Sequence, residues 1–332
     1  MKAAIVHKHG DPTTAEVISV VEDLPIPQPK QGEILVKVHA AAINPVDWKM
    51  IENRILGFKG GPIGADVSGV VEAIGPDTVT DLAVGDEVYG DAIATKGAFG
   101  QYAVVQAIVL AKKPSNISMV EAAALPLAGL TALQGLTTQG QLQEGQKVLV
   151  IGGSGGVGSL AVQMAKKLGA SEVFATGSEV KLIKDLGADV VVNYKEENLI
   201  DALKGKDFDL VFDTIGGYEH WELGQASLKP NGTFITIAGD GGSNIVTLLV
   251  SILWRTLYGK LFGGQRYFFF LTDTTSPAVE KDMKKLTELV EAGTVKPVLA
   301  ETQYELTTEG IHELIKASKS HRAKGKLVLK VV

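Results

Sequence analysis

The chain has no cysteine in its 332 residues. That excludes disulfides, thiolate nucleophiles and every zinc site built with a Cys ligand. It also excludes a disulfide-stapled secreted scaffold. Basic residues are in deficit: 32 Lys and Arg stand against 38 Asp and Glu, a net charge of −6. Binding nucleic acid in general needs a clustered basic surface, so no nucleic-acid partner is expected. Long apolar runs are missing too. The longest, residues 245–254, is broken by Thr247 and Ser251, whereas a membrane span takes about 20 apolar residues. No transmembrane segment is expected, although peripheral membrane association stays open. No charged-then-apolar leader precedes the strand-like start, which points to a cytoplasmic protein, with organelle association also open. The six histidines show no pair at metal-ligand spacing.

What is present is an apolar share of 45 % with 21 % charged residues, enough for real cores and too apolar for a disordered chain. At about 150 residues per domain the length points to two domains. Glycine is in excess, with 38 copies, as tight βα turns and close approach of backbone to a ligand require.

The opening stretch is β-rich. Residues 2–6, 33–41, 69–74 and 87–89 are short β-branched runs punctuated by Pro25, Pro27, Pro29, Gly32 and Gly85. The character changes near Glu121, and 122–135, rich in Ala and Leu, predicts a helix. A strict alternation follows. Apolar strands are predicted at 147–151, 172–176, 189–193, 210–213, 233–237 and 267–271, with helices at 156–168 and 180–186. Strands that are apolar throughout and separated by helices indicate an α/β fold with a parallel sheet covered on both faces. Six of them fit the doubly wound order 3-2-1-4-5-6. A helix with charged and apolar faces at 278–292 and strand-like text at 296–299 and 326–331 close the chain. The organisation expected is a β-rich domain from 1–125 and 273–332 with a sheet domain, 126–272, inserted.

The strongest motif lies in Val148-Leu149-Val150-Ile151-Gly152-Gly153-Ser154-Gly155-Gly156-Val157-Gly158. Gly153, Gly155 and Gly158 satisfy G-x-G-x-x-G after an apolar strand and at the opening of a helix, the context that a dinucleotide fingerprint requires. Without Cβ atoms the backbone approaches a pyrophosphate closely, and the helix N-terminus turns free N–H groups and its positive dipole end toward it. The residue about 20 past Gly158, where an NAD enzyme carries an acid for the ribose 2′-OH, is Ser178. A hydroxyl there suits a 2′-phosphate better than a carboxylate would, which favours NADPH. Glu179 follows, no Arg stands at the turn, and Lys181 is either a phosphate contact or a solvated helix Lys. Ser154 has no nucleophile-elbow context, since the phosphate loop accounts for it.

These residues belong to a wider pattern. The pieces Asn44-Pro45-Val46-Asp47-Trp48-Lys49, Gly64-Ala65-Asp66-Val67-Ser68-Gly69, Gly85-Asp86-Glu87-Val88, Leu125-Pro126-Leu127-Ala128-Gly129-Leu130-Thr131-Ala132, the glycine loop and Gly325-Lys326-Leu327-Val328-Leu329 resemble the medium-chain dehydrogenase/reductase superfamily. The resemblance covers nearly the whole chain and is greatest to the zinc-free quinone oxidoreductase and enone oxidoreductase branch. It implies a GroES-like catalytic domain joined to a Rossmann domain, NADPH in the cleft and a homodimer formed by pairing sheet edges. In zinc-dependent relatives a Cys stands where Asn44 is and a His where Ala65 is, so the resemblance implies no metal here.

Residue by residue, the resemblance places Lys49 at the nicotinamide ribose or the substrate carbonyl and Thr131 near the nicotinamide. It gives Ser154, Gly156, Val157 and Gly158 to the pyrophosphate, and Ser178 and Tyr194 to the adenosine ribose and its phosphate. Backbone around Ala238 and Gly239, Phe270 and Leu271, and Lys324 and Gly325 would line the nicotinamide end. The turn and helix between Thr176 and Leu186 look shorter than in many relatives, which carry a Lys or Arg there for the 2′-phosphate. Asn44 either lines the site or satisfies a turn, Asp47 is a turn residue, and Asp66 is structural. His312, His321 and the basic tail 316–326 read as solvated surface. The apolar block 245–270 is core with a buried sheet edge, or else a dimer interface or pocket wall. Loops 53–62 and 244–264 are expected to wall the substrate pocket.

The function implied is NADPH-dependent reduction of the activated C=C bond of an α,β-unsaturated carbonyl, or of a quinone, without zinc. Two alternatives stand beside it: a dinucleotide-binding sensor or peripheral protein without turnover, and an enoyl reductase acting on carrier-bound acyl chains.

Overall fold

The computed structural model describes residues 1–52, 61–95, 97–240, 245–259, 261 and 264–332. Residues 53–60, 244, 260, 262 and 263 of the expected pocket-wall loops lie outside the described residues. The chain divides into two compact units, Met1–Leu130 with Asp273–Val332, and Thr131–Thr272.

The first unit holds β1 (Ala3–Val6), β2 (Ile18–Val21), β3 (Glu33–Ala42), β4 (Gly61–Pro62), β5 (Asp66–Ile74), β6 (Glu87–Asp91), β7 (Tyr102–Gln106) and β8 (Leu110–Lys112). The second holds β9 (Lys147–Ile151), β10 (Glu172–Thr176), β11 (Val190–Val192), β12 (Phe208–Asp213), β13 (Leu228–Thr236) and β14 (Arg266–Phe269). The chain then returns to the first unit for β15 (Leu299–Glu305) and β16 (Lys326–Lys330).

In the second unit the strands run β11-β10-β9-β12-β13-β14, all parallel. Numbered by appearance within the unit, this is the doubly wound order 3-2-1-4-5-6 expected from the apolar strands. Their composition explains the burial. Val148, Leu149, Val150 and Ile151 of β9 are all 1 % exposed or less, as a strand covered on both faces requires. On one side Trp221 stands edge-on to Phe234 and Tyr267, at 5.6 and 5.2 Å between ring centres. Edge-to-face rings add about 0.5–1.5 kcal/mol beyond their burial.

In the first unit the long strand β3 is central. One of its edges pairs with β5, while the other takes β7 along Glu33–Lys37 and β16 along Ala40–Ala42. β5 continues to β6 and β8, and β15 lies beyond β16. A separate three-stranded sheet runs β2-β1-β4.

Helices beyond the sequence reading include Pro45–Glu52, Leu199–Leu203, Tyr218–Ser227, Ile245–Tyr258 and Thr308–Lys319. The last had a legible signal. Ile311, Leu314 and Ile315 lie at helical spacing and are buried, and Thr307 Oγ1 caps the start by accepting from Gly310 N at 3.0 Å. The strand expected at 296–299 begins only at Leu299 and runs on to Glu305. It is a sheet-edge strand with three consecutive exposed residues, Glu301, Thr302 and Gln303, so the apolar text that marks a buried strand is absent.

Candidate active site

The second unit gathers its expected residues at the C-terminal ends of the parallel strands, where ligands of such sheets lie. After β9 the chain turns through Gly152 at φ +86° and enters the helix Gly156–Lys167. A Cβ on Gly158 would stand 2.1 Å from Gly152 O, so only glycine lets helix and loop close on each other here. Gly153 N donates to Thr176 O at 2.8 Å and Gly155 N to Gly152 O at 3.1 Å, which fixes the loop. The amides of Gly156, Val157 and Gly158 open the first turn, where an α-helix has no internal acceptors. The loop thus presents a pocket of backbone donors with the positive end of a helix behind it.

The other residues expected on the adenosine side follow the neighbouring strands. Gly177 follows β10, and a Cβ there would come 3.5 Å from Ser154 Oγ. Ser178, half-buried, comes next in the chain. Lys181 is on the exposed face of its helix, its Nζ 2.6 Å from Asp185 Oδ2. That is the solvated arrangement weighed for it, and the pair raises its pKa. Tyr194 follows β11 with its ring exposed.

The third cluster comes from the ends of β12, β13 and β14. Phe270 is buried, its N donating to Thr236 O at 2.9 Å, whereas Leu271 is 76 % exposed. Thr131 and Thr272, the first and last residues of the unit, stand hydroxyl to hydroxyl at 2.6 Å. Ala238 and Gly239 continue β13 and press on the turn after β12: a Cβ on Gly216 would meet both of their carbonyl oxygens at 2.6 Å.

Asp213 organises this cluster, and the sequence reading passed it over. Its carboxylate is buried, accepting from Ile215 N and Gly216 N at 3.0 Å, with Thr236 Oγ1 at 2.9 Å. His220 Nδ1 is 2.8 Å from Gly216 O, and a carbonyl only accepts, so that nitrogen carries a proton. Burial lowers the pKa of His220, but Asp213, the Gly216 carbonyl and Glu219 outweigh it and leave the pKa raised. The available signal was an acid ending the apolar run 210–212 just before Thr-Ile-Gly-Gly.

In the first unit, Asn44 precedes the helix Pro45–Glu52. Proline suits the first helical position, and Asp47 Oδ2 accepts from Asn44 N at 2.8 Å, closing the helix start. Lys49 follows on this helix. Its ammonium is 5.5 Å from the centre of the Trp48 ring and pairs with no acid among the described residues. Burial lowers its pKa. The Lys49 charge, after burial, in turn lowers the pKa of His321, which stands edge-on to Trp48. His321 is exposed, as expected of a surface residue, and lies near enough to Lys49 to feel its charge.

Asn44 has little capacity left for a ligand. Its Nδ2 donates to Asp66 Oδ2 at 2.8 Å, and its Oδ1 accepts from Lys326 Nζ at 2.7 Å. Lys326 Nζ also donates to Asp66 Oδ2 at 2.8 Å and to Ile43 O at 3.2 Å, while Asp66 Oδ1 accepts from Leu127 N at 2.7 Å. Asn44, Asp66 and Lys326 are all buried. The basic tail is thus not uniformly solvated: Lys326 turns inward because Asp66 is a buried acid that needs a cation. Lys324, just before it, is exposed, and Gly325 passes through φ +75°. A zinc ion does not fit these residues. Ala65 offers a buried methyl, and the oxygens of Asn44 and Asp66 already receive an ammonium.

A family model described as alcohol dehydrogenase GroES-like domain matches residues 30–115, and one described as zinc-binding dehydrogenase matches 186–329. The chain is 36 % identical to the 2-methylene-furan-3-one reductase of Solanum lycopersicum, over 97 % of this chain and 77 % of that protein. It is 40 % identical to the chloroplastic NADPH-dependent alkenal/one oxidoreductase of Arabidopsis thaliana, over 65 % of this chain and 58 % of that one. Escherichia coli quinone oxidoreductase, solved in complex with NADPH, superposes with a TM-score of 0.80 at 26 % identity, over 99 % of this chain and 100 % of that one. The chain therefore belongs to the medium-chain dehydrogenase/reductase family, with a GroES-like β-rich domain and a Rossmann sheet domain.

Proposed function

We propose that the protein is an NADPH-dependent reductase of activated C=C bonds in α,β-unsaturated carbonyls, or of quinones, working without zinc. The observation that carries the reading is the half-buried ammonium of Lys49, paired with no acid among the described residues, in a chain whose second unit has the glycine-built loop. The names of the alkenal/one oxidoreductase and of the furanone reductase support the substrate class, and the NADPH complex of the quinone oxidoreductase supports the cofactor.

When bound, the nicotinamide supplies a hydride. The chain's own residues do the rest. Gly153–Gly158 hold the pyrophosphate on backbone amides, and Ser178 and Tyr194 flank the adenosine side. Lys181, tied to Asp185, serves there only if that pair opens. Thr131, Ala238, Gly239, Phe270, Leu271, Lys324 and Gly325 line the nicotinamide end. Reduction at the β-carbon leaves an enolate whose oxygen carries the negative charge. Lys49 offers three N–H donors and a full positive charge to that oxygen, the role a metal fills elsewhere. Asn44 acts on the chemistry through its hold on Asp66 and Lys326.

The open edge of β14, beside the exposed Leu249, Val250, Leu253, Trp254 and Leu257 of its neighbouring helix, supports a homodimer formed across that edge. Among the described residues no helix is long and apolar enough to cross a membrane. A cytoplasmic location completes the proposal. The test is to follow NADPH absorbance over a panel of enones, quinones, ketones and alcohols. Enones or quinones should be turned over fastest. Faster alcohol oxidation, or no turnover with any enone or quinone, would overturn the reaction class.

A further inference from the structure

Arg255 lies within the apolar text of the helix Ile245–Tyr258 and is 4 % exposed. A buried guanidinium is costly unless paired and hydrogen-bonded, and here the compensation is extensive. Its Nη2 donates to Asp240 Oδ1 and Oδ2 at 2.8 Å each, and its Nη1 is 3.5 Å from Tyr267 Oη. Three rings surround it, with Tyr218, Trp221 and Tyr267 centred 6.0, 5.9 and 5.8 Å from Cζ. Such contacts favour Arg over Lys, because the flat guanidinium stacks on ring faces.

What the ion pair holds is the chain after β13. Asp240 follows Ala238 and Gly239 directly. On its inner side this segment is tied by Thr236 Oγ1, which stands 2.9 Å from both Asp213 Oδ2 and Ala238 O. On its outer side Gly239 packs on the helix, since a Cβ there would come 2.7 Å from Leu248 Cδ1. Arg255 reaches the same segment from that helix, while Tyr218 and Trp221 belong to the helix after the Gly216–Gly217 turn. One side chain therefore joins the β13 end, the β14 strand and the helix that follows β12.

We infer that Arg255, through Asp240, is a positioning residue that sets the Ala238–Gly239 backbone for the nicotinamide half of the cofactor. The inference rests on the reading that Ala238 and Gly239 line that half. The glycine loop proposed for the pyrophosphate follows β9, with β12 between that strand and β13. Loss of the Arg255–Asp240 pair should therefore separate the two halves in binding.

The test is calorimetric titration of the wild type, Arg255→Lys and Asp240→Asn with NADPH and with 2′,5′-ADP, the adenosine half alone. Arg255→Lys keeps the charge but loses the fork and the stacking. Asp240→Asn keeps the shape at a partly exposed position and serves if the first variant folds poorly. Both should raise the Kd for NADPH about tenfold, as expected for one charged hydrogen-bonded pair, and leave the Kd for 2′,5′-ADP unchanged. A parallel loss on both ligands would reduce Arg255 to a fold-stabilising residue and overturn the inference, as would no loss on either. A wild type that binds 2′,5′-ADP but gains nothing from the nicotinamide half would overturn the underlying reading, and this inference with it.

Discussion

The glycine loop of one unit and the Asn44 network of the other hold their polar groups in opposite ways. In Thr131–Thr272 the phosphate loop is made of main chain: Gly158 lies so close to Gly152 O that no side chain fits, and the donors are amides. In the other unit Asn44, Asp66 and Lys326 form a buried network of side-chain charge, with bonds of 2.7–2.8 Å between them. A main-chain site tolerates most side-chain changes but not a Cβ at its closest point. A charge network tolerates small changes of volume but not the loss of one partner. The same contrast separates two lysines. Lys326 is buried and ion-paired, and so is committed to structure. Lys49 is half-buried with no acid beside it among the described residues, and so is available to an incoming negative charge.

The contrast breaks most visibly at Asp66. Asp66→Ala leaves the buried Lys326 ammonium without its acid, and should cost about 3–5 kcal/mol in a urea melt. A loss below about 1 kcal/mol would mean that water or a neighbour takes over, and the network would not be the frame described. Gly158→Ala should act on the other unit alone. Its Cβ, 2.1 Å from Gly152 O, forces the loop apart at about 1–3 kcal/mol and should weaken NADPH binding while leaving the first unit's melt unchanged.

Asp91 sharpens the picture of the charged unit. Its carboxyl is buried opposite Asp66 across the β5–β6 pair, and its Oδ2 has no hydrogen-bond partner among the described residues. Burial first, then the Asp66 charge, push its pKa up to about 8. The folded state thus keeps a proton that the unfolded chain has released. Its contribution to stability is full below the ordinary carboxyl value of 3.8 and is lost as pH rises to about 8. The slope is about 1.4 kcal/mol per pH unit across that window. Asp91→Asn should remove that part of the slope and melt higher than the wild type at pH 8; equal slopes would place an ionised Asp91 in the fold. The smallest effect is expected at Ser178. Ser178→Asp should move preference from NADPH toward NADH about tenfold, by repelling a 2′-phosphate and accepting from a 2′-OH. Unchanged relative affinities would remove Ser178 from the ribose site.

The legible part of the molecule follows the same division. The order of the six parallel strands and the glycine loop were readable because apolar runs and glycines are local signals, set within a few residues of one another. The partners of Asn44 were not. Lys326 lies far along the chain, and nothing in Gly325-Lys326-Leu327 says that the lysine turns inward. Arg255 was hidden in an apolar block, where its charge looks like an interruption rather than a centre, and Asp213 looked like the plain end of a strand. Pairings of buried charges depend on tertiary neighbours that periodicity does not encode. Lys49 is legible through its motif, but that no acid among the described residues pairs with it is visible only in the fold.

The role proposed for the Lys49 ammonium, which pairs with no acid among the described residues, is to stabilise the oxygen charge formed during reduction. Its most direct test compares wild type and Lys49→Ala on one enone at saturating NADPH, with NADPH affinity titrated separately. Removing one such donor should lower the rate constant by about 10²–10³ and change NADPH affinity little. An unchanged rate constant in a folded, NADPH-binding Lys49→Ala protein would contradict the claim.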